Sequence, residues 1–177
     1  MNKHMASFLI LLFMFSLSSA QEYYYGENLN LTVVPNGIPT ATTHLLLGRN
    51  DLPSISNADV SGLNSLIEVY LNDNQITTIA TDSFADSTST LRKLDLSNNL
   101  LTSFPIVNGL GSSLTHLNLS GNSISSLPGS LFGVYDAVTY LDLSFNPLPW
   151  TTAANFGSLI AFGVLVELTL SGTDCNE

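Results

Sequence analysis

Residues 91–101 read LRKLDLSNNLL, and residues 114–124 read LTHLNLSGNSI. Both runs place leucine at their first, fourth and sixth positions, asparagine at the ninth and an apolar residue at the eleventh. Three more stretches share the frame. THLLLGRNDL (43–52) sets Leu45, Leu47 and Leu52 about Asn50, and LIEVYLNDNQI (66–76) sets Leu66, Val69, Leu71 and Ile76 about Asn74. VTYLDLSFNPL (138–148) sets Val138, Leu141, Leu143 and Leu148 about Asn146. A sixth copy, LVELTLSGTDC (165–175), keeps Leu165, Leu168 and Leu170 but has Thr173 at the asparagine place and Cys175 at the last apolar one. The asparagines Asn50, Asn74, Asn99, Asn122 and Asn146 recur at intervals of 24, 25, 23 and 24 residues, so chance is no explanation.

Elementary geometry turns the frame into structure. In L-x-L the two leucines flank an outward residue, which makes each copy a short strand with one buried face. One copy cannot bury that face alone. Copies stacked in parallel can, and their leucines then form a continuous core column. The buried asparagine amide both donates and accepts, so successive asparagines can form a ladder that satisfies backbone groups of adjacent turns. Thr173 lacks that double reach, and the last turn is expected to be looser.

The frame L-x-x-L-x-L-x-x-N-x-L, at this period, resembles the leucine-rich repeat. The resemblance covers residues 29–175 and implies an α/β solenoid, a horseshoe with a parallel concave β-sheet and a convex side of short helices or irregular turns. The phrase SSLPGSLFGVY (125–135) is similar to longer animal-type repeats. Ahead of the repeats, LNLTVVPNGIPTATTHLLL (29–47) resembles the N-terminal cap of such ectodomains, including the variable lymphocyte receptors of jawless vertebrates. The cysteines that pin those caps are missing here, as is a C-terminal cysteine-rich cap.

The second halves of the copies are periodic as well. Ile55, Ile79, Phe104, Leu127 and Thr151 occupy one place, and Val60, Phe84, Phe132 and Phe156 another, with no aromatic at that place in the third copy. The interval from Asn146 to Thr173 is 27 residues, and its insert AANFGSLIAFGVL (153–165) is long enough for a helix of two to three turns.

The first twenty residues, MNKHMASFLILLFMFSLSSA, join a basic lead at Lys3 and His4 to an apolar run and a small-residue end. That layout predicts a signal peptide cleaved after Ala20, because twelve apolar residues are too few to span a bilayer. The expected organisation is a leader over 1–20, a cap segment over 21–41 and a repeat domain over 42–177. Without the leader, Arg49, Arg92 and Lys93 face fourteen carboxylates, a net charge of −11. Such a chain repels phosphate backbones and anionic headgroups, which argues against nucleic-acid and membrane partners. Cys175 is the single cysteine, so no intramolecular disulfide exists and packing must supply stability. It fills a core place in the frame, with pairing between two chains the alternative.

If the strands stack in register, their outward residues form columns. His44, Glu68, Lys93, His116, Tyr140 and Glu167 make one, and Leu46, Tyr70, Asp95, Asn118, Asp142 and Thr169 the next. Tyrosine and arginine are the residue types that anchor protein interfaces. The expected binding residues are therefore Tyr70, Arg92, Lys93, Asp95, His116, Asn118, Tyr140, Asp142 and Phe145, centred on the second to fifth repeats. A purely solvated sheet is the plainer alternative, with Glu68, Lys93 and Asp95 neutralising one another. Two sequons, at Asn30 and Asn118, are candidate glycosylation sites, and a glycan at Asn118 would occupy the middle of the face.

Enzyme readings fare poorly. His44 and His116 would sit three strands apart, roughly 14 Å, too far to share a metal ion. No serine stands in a G-x-S-x-G elbow, and phosphate loops, paired cysteines and H-E-x-x-H are absent. No cofactor or metal is expected. The reading is a secreted, non-catalytic recognition module for an extracellular protein or a surface glycan, monomeric or weakly dimeric at its C-terminal edge. The alternatives are a truncated ectodomain of a membrane receptor or adhesion protein, and a secreted inhibitor of an extracellular enzyme.

Overall fold

The computed structural model describes residues 22–128, 134–149 and 164–172. The predicted leader, Thr151, Phe132, Phe156, Thr173, Cys175 and all but the last two residues of the 153–165 insert lie outside them. Seven short strands stack into one parallel sheet: β1 (Tyr23–Tyr25), β2 (His44–Leu46), β4 (Glu68–Tyr70), β6 (Lys93–Asp95), β7 (His116–Asn118), β8 (Tyr140–Asp142) and β9 (Glu167–Thr169). The leucine-rich frame sets the register, with Leu45 opposite Val69, then Leu94, Leu117, Leu141 and Leu168. One side of every strand is thereby core. Leu45, Leu47, Val69, Leu71, Leu94, Leu96, Leu117, Leu119, Leu141 and Leu143 are buried, each stabilising the fold by roughly 1.5–3 kcal/mol. Leu168 and Leu170 of the last described strand are only half-buried.

The opposite side of the solenoid is irregular, as the frame predicts. It carries a helical turn at Asn57–Val60, a 3₁₀ turn at Ala85–Ser87 and a small parallel pair, β3 (Ser54–Ile55) with β5 (Thr78–Ile79). Ile55, Val60, Phe84, Phe104 and Leu127 fill the core between these turns and the main sheet.

The asparagine ladder forms through five turns. Asn74 Nδ2 donates to the carbonyls of Leu71 (3.0 Å) and Leu47 (3.0 Å), while its Oδ1 accepts from the Leu52 amide (3.1 Å). Asn99 repeats this with Leu96, Leu71 and Ile76, Asn122 with Leu119, Leu96 and Leu101, and Asn146 with Leu143, Leu119 and Ile124. Each rung thus ties its own turn to the one before. Asn50 ties the first repeat to the cap through the Gly26 carbonyl and the Leu29 and Leu31 amides.

Two features were not visible in the frame. First, the sheet begins inside the predicted cap. Tyr24 takes a leucine's place opposite Leu45, Gly26 stands where the second leucine belongs, and Leu29 replaces the asparagine. A Cβ on Gly26 would lie 2.6 Å from Leu47 Cδ2, so a larger residue there would have to displace that buried methyl group. With three signature letters changed, this turn escapes the pattern. Second, the residue before each ladder position is left-handed in every turn: Asn28, Arg49, Asp73, Asn98, Gly121, Phe145 and Gly172, with φ from 53° to 66°. That conformation aims its amide at the next turn. Arg49 donates to Asn72 O, Asp73 to Ser97 O, Asn98 to Ser120 O and Phe145 to Ser171 O, all at 2.8–2.9 Å. Asparagine, aspartate and glycine tolerate the left-handed region, whereas Arg49 and Phe145 are held there at a cost of about 1–2 kcal/mol each.

Candidate binding surface

Strand alternation leaves two outward residues on each strand of the main sheet, and the register lines them into the two predicted columns. The cap strand extends both, adding Tyr23 ahead of His44 and Tyr25 ahead of Leu46. A cavity of about 170 Å³ opens on this face, lined by Lys93, Leu94, Asp95, His116, Asn118 and Tyr140. Four of the residue types that favour recognition converge there: a cation, a carboxylate, an amide and a ring pair.

Three members of the second column are held for a local reason. Asp95 Oδ1 accepts from the Ser97 amide (3.0 Å) and hydroxyl (2.7 Å), and Asn118 Oδ1 from the Ser120 amide (3.0 Å) and hydroxyl (2.8 Å). Asp142 Oδ1 accepts from the Ser144 amide at 2.9 Å. The serine two residues on therefore locks each side chain to the turn that follows its strand. Partners recognised here meet side chains whose rotamer freedom is already spent.

The first column carries stacked rings, and its Lys93 reaches Tyr70 of the second column. His116 stacks on Tyr140 with ring centroids 5.6 Å apart, and its Nδ1 lies 2.9 Å from Thr115 Oγ1. Lys93 Nζ stands 4.7 Å from the centre of the Tyr70 ring, and the Tyr70 hydroxyl donates to Glu68 Oε2. Partial burial raises the Tyr70 hydroxyl above its usual range, reinforced by the Glu68 carboxylate. Burial pulls the Lys93 ammonium down, but the Tyr70 hydroxyl and the Glu68 and Asp95 charges outweigh it, so the cation is held more tightly than usual. Burial also raises Tyr140, with Asp142 and Glu167 adding to the shift.

Four expected members do not line the cavity: Tyr70 and Asp142 belong to the second column beside it, and Arg92 and Phe145 stand apart. Arg92 turns its guanidinium to the backbone, donating from Nη1 to the carbonyls of Ser89 (3.0 Å), Leu91 (3.4 Å) and Ser113 (3.4 Å). Phe145, 63% exposed, lies beyond β8 with its ring over Gly172, where an added Cβ would come within 2.3 Å of Cδ1. Arg49 is also spent locally, 3.8 Å from Asp73 in an exposed pair. Arg92→Ala is expected to change stability by under about 1 kcal/mol, since its hydrogen bonds are solvent-accessible. It should leave partner capture unchanged; a loss of capture would restore Arg92 to the surface.

Sequence reasoning missed Tyr23 and Tyr25, 41% and 49% exposed. The rings of Tyr23 and His44 stack at 4.2 Å and 13°, and Tyr23 lies parallel to Tyr25 at 5.9 Å. The signal was present in the alternation of Tyr23-Tyr24-Tyr25, but nothing in the frame marked it as a strand. Of the sequon asparagines, Asn30 is exposed with φ 53°, and Asn118 is half-buried on β7. Among the described residues no cluster of three or more histidine, cysteine or acidic side chains could hold a metal ion, and no helix is long and apolar enough to cross a membrane.

Comparison with known proteins gives concordant matches. The family model for the leucine rich repeat matches residues 40–101 and 89–148. Chicken (Gallus gallus) lumican is 33% identical over 142 residues, which cover 80% of this chain and 40% of lumican. Pig (Sus scrofa) fibromodulin is 34% identical over 142 residues, 80% of this chain and 92% of the fibromodulin sequence compared. The chain therefore spans well under half the length of that lumican. Among solved structures, that of a TLR13–ssRNA13 complex superposes with a TM-score of 0.71 at 26% identity, covering 85% of this chain and 22% of that one. A Shigella effector domain, at 20% identity and a TM-score of 0.57, shares the fold.

Proposed function

The chain belongs to the leucine-rich repeat family, and on that premise we propose that it is a secreted, non-catalytic module that binds another extracellular protein through the concave face of its sheet. One observation carries the reading. Side chains that the repeat does not dictate converge, already locked or stacked, around the cavity lined by Lys93, Asp95, His116, Asn118 and Tyr140. The residues proposed to contact the partner are Tyr70, Lys93, Asp95, His116, Asn118, Tyr140 and Asp142, with Phe145 at the rim.

A leader over 1–20 and export fit this reading. The acidic balance supports a protein partner over nucleic acid, because carboxylates repel phosphate. The reading needs no cofactor. Among the described residues the hydroxyl nearest His116 Nδ1 is that of Thr115, and it donates to the Arg92 carbonyl at 3.0 Å, so the contact does not read as a nucleophile activated by a base.

The test is capture of partners from extracellular fluid by immobilised protein, compared with a Tyr70→Ala/Tyr140→Ala double variant. Truncating two aromatic anchors should weaken capture by tenfold or more, about 1.4 kcal/mol at least. Unchanged capture by a folded variant sinks the reading. Intact mass of the secreted protein is the control, since full glycan occupancy at Asn118 would block the centre of the face.

A further inference from the structure

The stacking on the concave face also bears on the chemistry of the partner. Building on the binding role proposed above, we infer that the partner presents an extended, arginine- or lysine-bearing polypeptide segment, and that the Tyr23–Tyr25–His44 stack on the cap strand is part of the surface that receives it.

Charge sets the sign. The outward strand positions carry Glu68, Asp95, Asp142 and Glu167 against a single cation, Lys93. That cation is already committed to the Tyr70 ring and to its acidic neighbours. Nearby, Arg49 is paired with Asp73 and Arg92 with backbone carbonyls. The face therefore has a surplus of carboxylates with no uncommitted cation among the described residues, within a chain of net charge −10. A second copy of this chain would be repelled, and a basic segment attracted over a Debye length of roughly 8 Å.

Ring geometry adds places for a cationic side chain to land. Each of these rings turns toward a neighbouring ring or a cation: Tyr23 lies parallel to both His44 and Tyr25, His116 to Tyr140, and Lys93 covers Tyr70. Outer ring faces, ring edges and tyrosine hydroxyls remain for a ligand, and they suit cationic side chains, which stack on ring faces and hydrogen-bond to hydroxyls. Length fits as well. Seven strands at about 4.8 Å give a track of roughly 29 Å, the span of about nine extended residues.

The test titrates the full chain with three probes: an arginine/serine/glycine peptide of about twelve residues, its glutamate counterpart, and chitohexaose. The arginine peptide should bind and weaken steeply with added salt, while the other two do not bind. Asp95→Asn/Asp142→Asn should reduce its affinity by about tenfold or more. This variant keeps the fold, because an asparagine oxygen accepts from the following serine just as Asn118 does from Ser120. Tyr23→Ala/Tyr25→Ala should weaken it severalfold. Failure of the arginine peptide to bind, binding of chitohexaose instead, or equal binding by the Asp→Asn variant overturns the inference. These results leave the binding role standing if the Tyr70/Tyr140 variant still loses its captured partner, so the two proposals fail separately.

Discussion

Asn99→Ala is expected to lower the free energy of unfolding by about 2–4 kcal/mol, with a fall in Tm of roughly 6–12 °C. The magnitude follows from which groups have a second partner. Asn99 Nδ2 donates to the carbonyls of Leu71, Leu96 and Ser97. All three keep another donor, namely Asn74 Nδ2, Asn122 Nδ2 and the Asp73 amide. The Ile76 amide does not, since Asn99 Oδ1 at 2.9 Å is its acceptor in a buried setting. One orphaned amide costs about 1–3 kcal/mol, and three weakened carbonyls and a small void supply the rest. Because each rung joins two turns, the loss falls on an interface between neighbours in the middle of the stack.

Urea unfolding followed by circular dichroism measures the change. A loss under about 1 kcal/mol would mean that water replaces the rung and that the ladder is not a principal stabiliser. Asn99→Asp makes a sharper companion. Its carboxylate can still accept from Ile76 but would face three carbonyls, so burial among acceptors should raise its pKa above the unfolded value of about 3.9. Stability of that variant is then retained below about pH 4 and falls as pH rises through the elevated folded value.

Tyr135→Phe is expected to cost about 2–4 kcal/mol, a large effect for the removal of one oxygen. The Tyr135 side chain is fully buried; its hydroxyl donates to the Pro105 carbonyl (3.0 Å) and accepts from the Val107 amide (3.3 Å). Its ring meets Phe104 edge-on at 5.9 Å, filling the third turn, where the convex side lacks the aromatic that Phe84 supplies in the second. Phenylalanine keeps the ring and abandons two buried polar groups. Burial also pushes the Tyr135 hydroxyl far above its ordinary value of 10, with the Val107 amide opposing only in part. A folded pKa raised above the unfolded one gives stability that is complete below pH 10 and is lost as pH rises toward the folded value. The wild-type chain should therefore lose stability more steeply above pH 10 than the Tyr135→Phe variant. Parallel alkaline profiles for the two would remove Tyr135 from this account.

Much of the fold was legible because its signals are periodic. The leucines, the ladder asparagines and the convex places held by Ile55, Val60 and Phe84 each recur at a fixed offset, and the structure buries them where the frame puts them, short of the last described strand, where Leu168 and Leu170 are half-buried. The cap strand was not legible, since Tyr24, Gly26 and Leu29 break the frame at the three letters that define it. Tyr135 was equally hidden, because it serves the turn before its own and no offset within its repeat marks that role. The two columns of the surface were readable from strand alternation alone. The commitments of their side chains were not: Arg92 belonged to the columns' margin by sequence but is held by carbonyls of the turns beside it.

The sequence by itself determined the solenoid, its repeat boundaries, its buried faces and the register of its strands, because a period-two strand and a fixed interval leave one arrangement that hides every leucine. Only the tertiary structure decided which outward side chains are spent and which remain for a partner. Some of those pairings are local, as between Asp95 and Ser97. But the His116–Tyr140 stack, the Lys93–Tyr70 contact and the amide of the left-handed residue ahead of each ladder position meet residues about 24 positions away, on the neighbouring turn. A turn's own letters do not encode what the next turn will place against it.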